Sequence, residues 1–156
     1  MRSHLSVVAT VLVLALAACG AYPADPHGTL ERVTGGVLRV GVVHNEPYVS
    51  VTGSSPSGTE VDLVTGYAEQ LGATIEWTAG NEGELVSRVE HGQVDLVIGG
   101  LAKDTPWQKK VGLTQPYATS VDQFGAKQQH VMAVRLGENA FLLDLDRYLQ
   151  AAGGPR

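Results

Sequence analysis

The sequence contains one cysteine, Cys19, so no intramolecular disulfide can staple it. Basic residues never run longer than Lys109-Lys110, and the formal net charge is −5. A nucleic-acid footprint needs clustered Lys and Arg, so nucleic acid is excluded as a partner. Aromatic residues are few, at 6%, and charged residues make up 17%. No apolar run is long enough for a comfortable membrane span, which takes about 20 residues. His44, His91 and His130 show no metal-ligand spacing, and there is no Ser/His/Asp arrangement, so neither a metal nor a cofactor is expected. What is present is 44% apolar residues in 156, enough to build the core of one domain.

The N-terminus reads as a targeting segment. Arg2 gives a short positive region, Leu5 to Ala18 form an apolar stretch, and Leu16-Ala17-Ala18-Cys19 follows. Small residues before a cysteine have the form of a bacterial lipobox, in which the thiol is lipidated and becomes the new N-terminus. Residues 1–18 are therefore expected to be a lipoprotein signal peptide and Cys19 the lipidation site. The mature chain would sit outside the cytoplasmic membrane on its acyl chains. Residues 19–36, with Pro23, Pro26, Gly28, Gly35 and Gly36, read as a flexible tether in which His27 is solvated.

Residues 37–152 carry the periodic elements. Val37 to Val43 is a β-branched strand that ends at the His44-Asn45-Glu46-Pro47 turn. Thr59 opens a helix with Val61, Val64, Ala68 and Leu71 on one stripe and Gly72 after its last turn. Ala73 to Thr78 is a strand and Glu84 to His91 a short helix with Leu85, Val86 and Val89 inward. Val94 to Ile98 is a continuous apolar strand of the kind covered on both faces. This alternation predicts βαβ units and a parallel sheet. Val111 to Thr119 is extended, Gln129 to Leu136 is a further strand, and Asn139 caps a final helix carrying Phe141, Leu142, Leu145, Tyr148 and Leu149.

Four segments, LRVGVV with Pro47-Tyr48, GTEVDLVTGYAEQLGATIEW, ELVSRVEHGQVDLVIGGL and TPWQKKVGLTQPYATS, follow each other in a particular order. In order and spacing they resemble the bacterial extracytoplasmic solute-binding proteins of family 3, the amino-acid type that serves ABC importers. The resemblance implies an α/β fold, a lobe of the periplasmic-binding-protein type II kind with a mostly parallel sheet and helices on both faces. Family members clamp the ligand between two lobes. Here the second lobe is absent or reduced to about residues 121–128, because QQHVMAVRLGENAFLLDLDRYLQAA already matches the returning strand and last helix.

The resemblance implies a ligand shelf at the C-terminal ends of the strands, as in open α/β sheets generally. Its expected ligand-binding residues are Asn45, Glu46, Tyr48, Gly99, Gly100, Leu101, Thr105 and Gln108, with Asn81 and Glu82 beside them. Gly99 and Gly100 match small residues whose backbone N–H groups approach the ligand. Thr105-Pro106 match the family's Thr-Pro, but Gln108 stands where an arginine clamps an α-carboxylate bidentately, which Gln cannot reproduce. Glu60 and Asp62 match a family motif, yet carboxylates at a helix start are explained by the helix dipole and capping.

The expected function is a lipid-anchored, single-lobed binder of a small polar solute, partnered by an ABC permease or another membrane protein. The alternative is an interaction module that kept the fold and docks an envelope protein through Trp107, Leu113 and Tyr117. Dehydratases and murein lyases share this fold or carry this domain, but no catalytic residues are identified and no enzymatic activity is expected.

Overall fold

The computed structural model describes residues 23–122 and 124–153. The expected signal peptide and Cys19 lie outside them. A short helix α1 (Thr29–Val33) leads into β1 (Val37–Val42), α2 (Thr59–Leu71), β2 (Thr74–Ala79), α3 (Glu82–Glu90) and β3 (Leu96–Ala102). Two short strands, β4 (Val111–Leu113) and β5 (Ala118–Val121), precede the long β6 (Lys127–Arg135) and the closing helix α4 (Asn139–Gly153).

One sheet runs β2-β1-β3-β6-β4, and β5 pairs with β6 beyond β4. The βαβ spacing is realised as β2-β1-β3, all parallel, with Val40 beside both Trp77 and Leu96. The rest is antiparallel: β6 enters between β3 and β4 and also pairs β5. The sheet is thus more mixed than the spacing predicts, because β6 is reached through a hairpin rather than a crossover helix.

Period-two alternation divides the core into two faces. Leu38, Val40, Val42, Leu96, Ile98, Met132 and Val134 point to one side, where Val64 and Tyr67 of α2 and Phe141, Leu145 and Leu149 of α4 cover them. Val97, Leu101, Val131 and Ala133 point to the other, under Leu85, Val86 and Val89 of α3. Helices therefore cover both faces, as expected.

The helix ends depart from expectation. Thr59 does not cap α2; Gly58 occupies the cap position without a side-chain bond. Asn139 does not cap α4 either. Asp25 does, its Oδ1 accepting the Ala140 and Phe141 N–H groups at 2.7 and 3.0 Å, while its Oδ2 accepts the Leu30 N–H of α1 at 2.9 Å. One carboxylate thus serves two helix starts. Beside it, fully buried Glu138 accepts from the His27 and Thr29 amides and from His27 Nδ1. The described part of 19–36 is consequently no tether, and His27 is not simply solvated. Proline and glycine content suggested a linker, but polar anchors fix the segment to α4.

Candidate functional site

The C-terminal ends of β1 and β3 and the N-terminal end of antiparallel β6 meet at one rim of the sheet, with Ala102 beside His130. β3 does not stop at Ile98. It continues through Gly99 and Gly100, with a register irregularity between Val97 and Leu101. The two glycines are therefore part of a bulged strand and not a free turn. Gly99 has φ 150° and Gly100 φ 68°, and a Cβ on Gly100 would lie 2.4 Å from Tyr48 Cδ2. Only glycine admits this backbone with the post-β1 loop packed so closely.

Their amides are already occupied. Glu60 Oε2 accepts the Gly99 N–H at 2.6 Å, and its Oε1 accepts the Gly100 N–H at 3.0 Å. The Tyr117 hydroxyl donates to the same carboxylate. Glu60 is fully buried, and that burial pushes its carboxyl above the usual carboxylate range despite the opposing bonds from Tyr117, Gly100 and Gly99. Burial and the facing Glu60 charge push the Tyr117 phenol up as well. The dipole and capping account of Glu60 is therefore incomplete. Its signal was its phase, since Glu60, Val64, Tyr67 and Ala68 all lie on the buried stripe of α2.

A second hub lies on the rim. Buried His130 places Nε2 2.8 Å from the Tyr48 hydroxyl and 2.7 Å from Ser120 Oγ, and Nδ1 3.2 Å from the Gly100 carbonyl oxygen. The carbonyl can only accept, so Nδ1 donates to it, and Nε2 is left to the two hydroxyls. The Tyr48 ring sits 4.5 Å from the imidazole, so it packs on His130 and is not left as an open platform.

The other expected residues divide. Asn45 is exposed and donates its side-chain amide to the Gly99 carbonyl at 2.9 Å. Exposed Glu46 accepts from Ser50 at 2.9 Å. Leu101 is buried in the α3-side core and cannot line a shelf. Thr105 is buried and donates to Glu82 Oε1 at 3.2 Å, bracing the loop. Asn81 caps α3 through the Glu84 N–H, so it too is structural. Gln108 is exposed, and its amide donates to the Lys103 carbonyl at 3.1 Å.

Beside Gln108 the rim holds a depression of about 390 Å³ lined by Lys103, Asp104, Gln108, Lys127, Gln128 and Gln129. This volume is within the range of small-molecule pockets, and the residues named are all polar or charged. Three of these residues come from the start of β6, which the resemblance did not assign to ligand binding. They reach the rim because β5 and β6 pair directly, Val121 beside Lys127, across a tight turn within 121–128. Among the described residues no group of His, Cys, Asp and Glu is placed to hold a metal, and no helix is long and apolar enough to cross a membrane.

Domain 1 of TmArgBP in its arginine-bound form superposes with a TM-score of 0.66 at 24% identity, covering 78% of this chain and 97% of that one. An ancestral cationic amino acid solute-binding protein gives 0.67 at 16% identity, covering 79% and 93%. These likenesses establish the fold, a periplasmic-binding-protein type II lobe. Among curated proteins, membrane-bound lytic murein transglycosylase F 2 of Alkalilimnicola ehrlichii is 36% identical over 104 residues, 65% of this chain and 23% of that protein. Membrane-bound lytic murein transglycosylase F of Vibrio campbellii is 33% identical over 91 residues, 57% and 17% respectively. The chain therefore spans less than a quarter of the length of these two relatives. The sequence profile of the bacterial extracellular solute-binding proteins, family 3, matches residues 38–152. With that match over most of its length and its two-faced lobe, the chain belongs to that family.

Proposed function

We propose that this chain is a lipid-anchored extracytoplasmic solute-binding lobe, the substrate-binding component of an ABC-type importer, taking an amino-acid-like or other small polar solute. The observation that carries the reading is the polar depression at the rim, which contains Gln108 at the position of the family arginine and sets Lys103 and Lys127 at its edge. With the Gly99 and Gly100 amides filled by Glu60, a solute carboxylate has to be met by those two ammonium groups and by the side-chain amides of Gln108, Gln128 and Gln129. Point charges on an open shelf hold a ligand less firmly than a bidentate clamp between two walls, so binding is weak. An arginine-bound form of the isolated domain 1 of TmArgBP supports the idea that one lobe suffices to hold a solute. Lipidation at Cys19 would place the lobe beside a permease.

The lobe is not itself an enzyme on this reading. The Ser120–His130 contact has a backbone carbonyl at Nδ1 and shares Nε2 with Tyr48, so it ties β5, β6 and the post-β1 loop together. The transglycosylase relatives match over this lobe, not over the bulk of their length. Titration calorimetry of the full chain against a panel of amino acids and small polar solutes tests the proposal. Weak heats abolished by Lys103→Ala with Lys127→Ala are expected, and silence across the panel sinks it.

A second reading has its own observation. Val121 and Phe124, at the β5–β6 hairpin, are 63% and 85% exposed. The interaction module was expected to present Trp107, Leu113 and Tyr117, but Tyr117 is buried and the other two pack against the α3-side core. If docking is the role, the hairpin carries it. Cross-linking from position 124 to a membrane-protein partner in envelopes would favour this reading over transport.

A further inference from the structure

At the opposite end of the strands from the solute rim, β1, β3 and β6 bring charged residues together. Asp95, one position before Leu96, lies beside Arg39 of β1, since Val40 pairs Leu96 and the Asp95 N–H donates to the Arg39 carbonyl at 2.8 Å. On its other side, Leu96 pairs Val134, which sets Arg135 of β6 against the same position. Arg32 of α1 completes the group. These residues, with His27, Thr29, Gly92 and Val94, line a cavity of about 200 Å³.

The charges in this cavity do not balance. Arg32, Arg39 and Arg135 bring three positive charges against one buried carboxylate, in a chain whose formal net charge is −5. Asp95 is also saturated. Its two oxygens accept from Arg32 Nη1 and Nη2 at 3.3 and 2.5 Å, from the Arg39 amide and Nε at 3.0 and 3.1 Å, and from Arg39 Nη2 at 2.6 Å. A carboxylate offers about four lone-pair sites, so nothing remains for a third guanidinium. Arg135 is half-buried, and among the described residues its guanidinium forms no hydrogen bond or ion pair. It lies over Gly92, where an added Cβ would stand 3.0 Å from Nη1, so glycine leaves the cation its place. The nearby Glu138 carboxylate cannot answer it, being taken up by His27 and Thr29.

The geometry points to an anion site here, distinct from the solute rim, in which Arg135 supplies the free guanidinium fork and Arg32 and Arg39 supply positive potential. The ligand class is a phosphate or phosphomonoester group, because a tetrahedral oxyanion accepts a planar guanidinium through two parallel bonds and fits a cavity of this size. Such a group has two sources, a soluble phosphate compound or the headgroup of an anionic lipid.

Thermal unfolding of the full chain in sodium phosphate, compared with sodium chloride at equal ionic strength, tests the site. The midpoint is expected to rise with phosphate in a saturable way. Arg135→Gln should weaken the apparent affinity at least tenfold and Arg135→Lys by less, with both variants keeping the wild-type circular dichroism spectrum in chloride. Arg39 is left intact because losing it would strand Asp95. Identical midpoints in phosphate and chloride, or a wild-type response from Arg135→Gln, overturns the proposal. Sedimentation with phosphatidic acid and phosphatidylcholine vesicles then assigns the source. Wild type recruited to phosphatidic acid more strongly than Arg135→Gln identifies a headgroup, and equal recruitment identifies a soluble phosphate.

Discussion

The carboxylate of Glu60 sits 2.6 Å from the Gly99 nitrogen, so a side chain from α2 fills the backbone donors that a bound solute would otherwise meet. This contact joins the GTEVDLVTGYAEQLGATIEW segment to the Gly99–Gly100 bulge of β3. It also moves the available polar groups outward, toward Lys103, Gln108 and the start of β6.

Glu60 gives a pH signature. Its folded-state pKa is raised above the ordinary 4.5, so the stability it contributes is fully present below that value and is lost as pH rises through the folded value. Urea denaturation of wild type and Glu60→Gln across pH 3 to 8 should show a downward component in the wild-type stability curve that the variant lacks. Parallel curves would contradict the buried ionisation.

Glu138 carries the opposite sign. Burial alone would raise its carboxyl, but the hydrogen bonds from Thr29 and His27 outweigh that and hold it below 4.5. Its contribution is present above 4.5 and is lost as pH falls through the lower folded value. Glu138→Gln should destabilise by roughly 2 kcal/mol at pH 7, the scale of losing bonds to a charged acceptor, and the gap to wild type should narrow on acidification.

Asp25→Ala removes the caps of α1 and α4 together. Each cap is worth about 0.5–2 kcal/mol, so a loss of roughly 2 kcal/mol is expected, smaller in Asp25→Asn. Amide exchange should accelerate at Leu30, Ala140 and Phe141 in the same variant. Unchanged protection at those three amides would count against a shared cap.

Gly100 and Gly72 separate crowding from backbone strain. Both have positive φ, 68° and 63°, but a Cβ on Gly72 meets nothing within 4 Å whereas one on Gly100 collides with Tyr48 and Asn45. Gly72→Ala should cost about 1 kcal/mol and Gly100→Ala clearly more, on the order of 3 kcal/mol, with the excess reflecting displacement of the post-β1 loop. Equal losses of unfolding free energy would show that the loop yields freely.

Gln108→Arg restores the residue type that family members use on an α-carboxylate. A guanidinium at this rim should raise affinity for amino acids by about tenfold over wild type, read by calorimetry, because it replaces point charges with a bidentate fork. No gain would mean that Gln108 does not face the solute.

The alternation of Leu38, Val40 and Val42 and the stripes of α2, α3 and α4 made the layered lobe readable in advance, since periodicity reports burial directly. The Gly99–Gly100 segment was readable as the end of an apolar strand but not as a geometry. Gly99-Gly100 has the look of a turn, and only the pairing of β3 with β6 reveals a bulge within a strand. Glu60 was misjudged because a carboxylate in a helix's first turn has an adequate local explanation, and its partners Gly99, Gly100 and Tyr117 are distant in sequence. Asp25 and Glu138 failed for the same reason. The bonds from Asp25 to α4 and from Glu138 to His27 and Thr29 join residues more than a hundred positions apart, a relation that local composition does not carry.

The position of β6 has a consequence for how the chain is made. It is the last strand in sequence, yet it stands between β3 on one side and β4 with β5 on the other. Until it arrives, β3 has one partner and the two short strands have none. A nascent chain therefore cannot close this sheet before β6 has been made, and the lobe assembles through contacts of long sequence separation. That delay leaves one edge of β3 without a partner until the whole of β6 has been made.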